Sequence, residues 1–95
     1  MLRTFNITER HIERGKVEDC RRCPAALAIA EALRPEYPKF QIKVTRAFIL
    51  VAGPSYSAPY IVHCATPLPL KTFIRRFDDG QPVEPISFEL PVQEL

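Results

Sequence analysis

Long apolar runs are missing from this chain. No stretch of about 18 apolar residues occurs, so no membrane span is expected. Met1–Thr8 has no apolar core of the kind that a signal peptide needs. Glycine is scarce: the three glycines are isolated, and no Gly-rich loop is present to cradle a phosphate. Ser55, Ser57 and Ser87 lie in no GxSxG turn, which argues against an activated serine nucleophile. The cysteines number three. A secreted disulfide framework pairs its cysteines, so an odd count is read as a reduced, cytoplasmic protein. Charge of one sign is also lacking. Thirteen basic residues face 11 acidic ones for a net charge of +2, which makes nucleic acid an unlikely partner on bulk electrostatics.

What is present suits one compact domain spanning residues 1–95. A chain of this size buries roughly 60–70% of its unfolded surface, enough for one modest core. Hydrophobic residues make up 46% and charged residues 25%, so a folded protein is expected rather than a disordered one. Ten prolines are spread over element ends and loops. No internal repeat, interdomain linker or low-complexity segment interrupts the chain.

Thr4–Ile7 reads as a short strand with Phe5 and Ile7 on one face. Thr8 is a good N-cap for a helix over Glu9–Arg14, with Ile12, and His11 as a second candidate, turned inward and Gly15 ending it in the left-handed conformation. A turn capped by Asp19 leads to the main helix at Pro24–Leu33. Proline is comfortable at the first helical position, and Arg34-Pro35 stops the helix. Within this helix Glu31 is the one polar residue, so the helix is expected to be buried on more than one side, with Leu27, Ile29 and Leu33 supplying bulk.

Phe40, Ile42 and Val44 alternate with polar residues, as in a half-exposed strand. Ala47–Ala52 is a continuous apolar run, read as a central strand buried on both faces. Residues 53–59 form a loop, and Tyr60–Ala65 returns as a third strand of an antiparallel meander. Leu70, Phe73, Ile74 and Phe77 follow i, i+3, i+4, i+7 and define a second long helix, closed by Gly80 as its C′ residue. Ile86–Leu90 is a last strand, bracketed by Pro85 and Pro91 and hence short or at an edge. The order β-α-α-β-β-β-α-β describes an α+β domain, mainly antiparallel, with helices packed on one sheet face.

Three stretches resemble a family of small uncharacterised proteins found in bacterial genomes, bacteriophages and related mobile elements. They are Ile7-Thr8-Glu9-x-His11-Ile12-x-x-Gly15, Cys20-x-x-Cys23-Pro24-x-Ala26-Leu27-Ala28, and Phe77-Asp78-x-Gly80-x-x-Val83-x-Pro85-x-x-Phe88-x-Leu90. The resemblance covers almost the whole chain and transfers no catalytic residue. It implies a bacterial cytoplasm, or a host cytoplasm for a phage-encoded chain. Small phage-associated domains often modulate a host protein by binding it, an expectation that rests on association.

The chemical candidates follow from residue type. Cys20 and Cys23 have the CxxC spacing, before a helix and beside Arg21 and Arg22, which is where a thiolate is stabilised. A redox protein would have a buried strand leading into that motif, and here the lead-in is polar. The same pair has zinc-knuckle spacing, and His11 or His63-Cys64 would have to complete the ligand set. Adjacent strand residues point to opposite faces, so His63 and Cys64 rarely ligate together. Against both readings stands a plain one: Cys23 as a small buried residue under the helix start, His63 as a satisfied strand residue, and His11 as a surface residue on a short helix.

Lys71, Arg75 and Arg76 form a basic helical face, with Arg21-Arg22 as a possible extension. A solvated amphipathic face is the simpler explanation. Tyr56 and Tyr60 flank the Pro-rich loop as amphipathic anchors of the kind used at interfaces. A non-enzymatic domain that binds a host or self protein, and that can form a homodimer through an edge strand, is therefore favoured, with Tyr56, Tyr60, Arg75 and Arg76 as binding residues and no cofactor. The alternative is a cysteine-dependent redox or structural-zinc protein using Cys20 and Cys23.

Overall fold

Proline and threonine set the helix boundaries in the computed structural model, which describes residues 1–37, 39–53 and 60–93. The strand β1 (Leu2–Ile7) leads through Thr8 into α1 (Glu9–Arg14). The Thr8 side chain accepts the backbone N–H of His11, and Thr8 returns its own N–H to His11 Nδ1 at 3.0 Å. This is a capping box with histidine in the place usually held by Glu or Gln. It draws His11 inward to 6% exposure, as the helix pattern allows and against the alternative of a surface histidine.

Helix α2 (Pro24–Leu33) keeps the bounds that its prolines dictate. Its N-cap is Cys23, whose Sγ accepts the Ala26 N–H at 3.4 Å. Ala25, Ala26, Ile29 and Leu33 are fully buried at the centre of the core. The preceding turn is closed by Asp19, which accepts the N–H groups of Arg21 and Arg22 through Oδ1. Gly15 departs from expectation. Its φ of −68° and ψ of 150° are extended, and the left-handed conformation is not used. Space is what demands glycine there: a Cβ would lie 2.5 Å from Cδ of Pro24.

Three strands follow: β2 (Gln41–Val44), β3 (Phe48–Ala52) and β4 (Val62–Ala65), antiparallel in the order β2-β3-β4. β3 is central, as its apolar run suggests, but only one of its faces is fully covered. Ile49 and Val51 are buried against the core, whereas Phe48 and Leu50 on the opposite face are half-buried. Leu50 pairs with Lys43 on one side and His63 on the other, and the Lys43 ammonium lies 5.9 Å from the Phe48 ring centre. Polar neighbours on both flanking strands explain why the apolar run does not imply burial on both faces.

Helix α3 (Leu68–Asp78) buries Leu70, Phe73 and Ile74. It ends in a Schellman motif: Gln81 N–H donates to Arg76 O, Gly80 N–H donates to Phe77 O, and Gly80 sits at φ +75°. The last strand, β5 (Ile86–Pro91), pairs antiparallel with β1, placing Phe5 opposite Phe88 with stacked rings 5.7 Å apart. The five strands thus divide into two antiparallel sheets. Main-chain bonds from Gln93 to Ile61 and from Ile61 to Val51 tie the segment after β5 to the larger sheet. The result is a single α+β domain in the order β-α-α-β-β-β-α-β.

Candidate functional site

Two helix faces meet in an open groove. On α1, Arg10 and Arg14 are four residues apart and so share a face. On α2, Leu27, Ala30, Glu31 and Arg34 fall at i, i+3, i+4 and i+7, which is one stripe. The two stripes, with Pro35, line a groove of about 560 Å³. Leu27 and Ala30 are half-buried and form its floor, while Arg10, Arg14 and Arg34 are exposed along its rim. This is the side on which the apolar helix is left uncovered, in contrast to Ile29 and Leu33 on its buried side.

A fixed polar contact spans the two helices inside the groove. His11 Nδ1 is occupied as an acceptor from Thr8 N–H, which leaves the ring proton on Nε2. Nε2 donates to Glu31 Oε2 at 3.2 Å. Glu31 is itself 70% exposed, so its carboxylate remains accessible from the groove. Arg34 is held with its guanidinium carbon 5.6 Å from the Phe40 ring centre, a cation–π contact that leaves its N–H edge available. Among the described residues, no carboxylate forms an ion pair with Arg10, Arg14 or Arg34.

Cys20 and Cys23 line a different and smaller cavity of about 190 Å³, together with Asp19, Arg46, Ile74 and Asp78. All three cysteines are free. Burial pushes the Cys23 thiol up to about 11, against the opposing pull of the Ala26 and Ala25 amides. Such a thiol is protonated at neutral pH when no metal is bound and is a poor nucleophile. Burial also raises the Cys64 thiol. Among the described residues, no group of three or more His, Cys, Asp or Glu side chains is gathered in a way that would hold a metal. His11, offered by spacing as a third ligand, is engaged with Thr8 and Glu31.

The residues singled out for binding are dispersed. Tyr56 lies outside the described residues. Tyr60 is half-buried, with its ring edge-on to His63 at 5.0 Å between ring centres. Arg75 and Arg76 are both exposed on α3. Arg76 lines a second groove of about 440 Å³ with Phe73, Val83 and Ile86, and neither Tyr60 nor Arg75 borders it. The α1–α2 groove was not singled out from the sequence. Its signals were present in the Arg10/Arg14 spacing and in Glu31 breaking an otherwise apolar helix. Nothing local, however, places the two stripes side by side.

No protein-family model, curated protein or solved structure matches the chain. No helix among the described residues is long and apolar enough to cross a membrane.

Proposed function

We propose that this chain is a small interaction domain that binds another protein through the α1–α2 groove. The observation that carries this reading is the pairing of a half-buried aliphatic floor with three arginines that have no carboxylate partner within the described fold. Folding alone gives no reason to hold Arg10, Arg14 and Arg34 around half-buried Leu27 and Ala30. An interface does, because arginine and a desolvated aliphatic centre are recurrent features of protein contacts. The resemblance to small bacterial and phage proteins fits a host protein as partner, in the cytoplasm, where three free cysteines persist. A second copy of the chain is the other candidate partner.

The test uses the whole chain as bait in a bacterial lysate, beside a Leu27→Arg variant that fills the groove floor with charge. A captured protein that is identified, purified and found to bind the wild-type chain but not the variant supports the reading. A partner that binds both equally contradicts it.

The shared cavity of Cys20 and Cys23 supports a second reading, a redox or zinc role. The raised Cys23 thiol weighs against it. Stoichiometric zinc in the purified chain, lost on Cys20→Ser with Cys23→Ser, would establish it instead.

A further inference from the structure

Resting on that reading, we propose that the α1–α2 groove takes an acidic peptide segment of its partner, with an aliphatic side chain seated between Leu27 and Ala30 and carboxylates on either side meeting Arg10, Arg14 and Arg34.

Charge decides the sign of the occupant. The rim has three guanidinium groups and one carboxylate, Glu31, which already accepts a hydrogen bond from His11. Arginine presents a planar fork that matches a carboxylate in a bidentate way. Arg34 is partly preordered by its stacking on Phe40, which lowers the entropy lost on binding.

The floor decides the chemical class. Leu27, Ala30 and Pro35 are aliphatic, and the one ring at the groove, His11, is buried and hydrogen-bonded at both nitrogens. A nucleic acid strand would find phosphate contacts here, but no aromatic platform on which to stack a base. A leucine or isoleucine flanked by Asp or Glu satisfies both the floor and the rim. The two stripes run along neighbouring helices, so the contacts repeat along the groove, as extended or helical peptides require.

The probe is a short fluorescein-labelled peptide with leucines flanked by glutamates, compared with a peptide in which glutamine replaces glutamate and with a single-stranded oligonucleotide. Saturable binding of the acidic peptide is expected, weakening with added salt and falling about tenfold or more in an Arg10→Glu/Arg14→Glu variant. Both arginines are exposed and, among the described residues, form no ion pair, so this variant is expected to fold, and an unchanged denaturant midpoint verifies it. Equal binding of the glutamine peptide overturns the acidic occupant. Tighter binding of the oligonucleotide overturns it in favour of nucleic acid. If no peptide binds while the purified partner still loses affinity for Leu27→Arg, the acidic occupant is wrong and the protein-binding reading stands. If that partner binds Leu27→Arg normally, the reading itself fails.

Discussion

Gly15 and Pro24 touch so closely that the end of α1 and the start of α2 have no room for one more carbon. A Cβ at residue 15 would lie 2.5 Å from Pro24 Cδ and 2.7 Å from its nitrogen. The proline ring opens α2 and cannot move without displacing the helix. The contact lies at the junction where α1 ends and α2 begins, the two helices whose faces line the groove.

Gly15→Ala is therefore expected to destabilise the fold by about 1–3 kcal/mol, the usual cost of overpacking. The effect is steric, because the Gly15 backbone is in a conformation that alanine adopts freely. Gly53→Ala is the control: among the described residues nothing lies within 4 Å of a Cβ at that position, and the expected change is within about 0.5 kcal/mol. Denaturant midpoints of the two variants decide the matter, and equal midpoints would remove the steric argument.

Glu18 predicts the opposite sign. It sits at φ 56°, where its side chain is unfavourable, and its N–H donates to Asp78 Oδ1 at 3.0 Å. Glu18→Gly is expected to raise stability by up to about 1 kcal/mol, although glycine normally lowers it. A lowered melting temperature would show that the Glu18 side chain makes a compensating contribution.

Cys23 gives a pH dependence. Its thiol stands at about 11 in the folded protein against an ordinary 9.0. With the folded value raised, the unfolded chain loses its proton first as pH rises. The stabilisation is complete below pH 9 and is lost progressively between about pH 9 and 11, to a limit of about 3 kcal/mol. Cys23→Ser replaces the capping sulfur with an oxygen acceptor and removes this ionisation. The stability difference between wild type and variant is expected to change across that pH window. A constant difference would contradict burial of the thiol.

Ile29 is fully buried on the inner side of α2. Ile29→Ala is expected to cost about 2–5 kcal/mol, combining lost transfer energy with a cavity. Leu27→Ala, on the groove side of the same helix, is expected to cost markedly less, because Leu27 is only half-buried. Chemical denaturation of the pair measures the asymmetry of α2 directly.

Much of the fold was legible because local rules and tertiary structure agree. Pro24 and Arg34-Pro35 mark the bounds of α2, Gly80 supplies the positive φ that closes α3, and the Leu70–Phe77 pattern identifies the buried face. Other features depend on what lies across space. The apolar run of β3 gives no sign that Lys43 and His63 flank its outer face. Gly15 reads as a left-handed helix end, whereas its constraint comes from Pro24 nine positions later. His11 is buried because Thr8 turns it inward and Glu31 receives it, and only one of those partners is close in sequence. The CxxC spacing suggests chemistry, and it gives no sign that Cys23 also caps α2 through Sγ, because that contact depends on the helix start at Pro24. The groove needed α1 and α2 to be set side by side, which no local pattern of residues specifies.

The most direct measurement is a backbone amide NMR titration of the full chain with the acidic leucine peptide. The account predicts shift changes concentrated on Arg10, Arg14, Leu27, Ala30, Glu31 and Arg34, the stripes that line the groove. Shifts confined to the second groove, around Phe73, Arg76 and Val83, would contradict it.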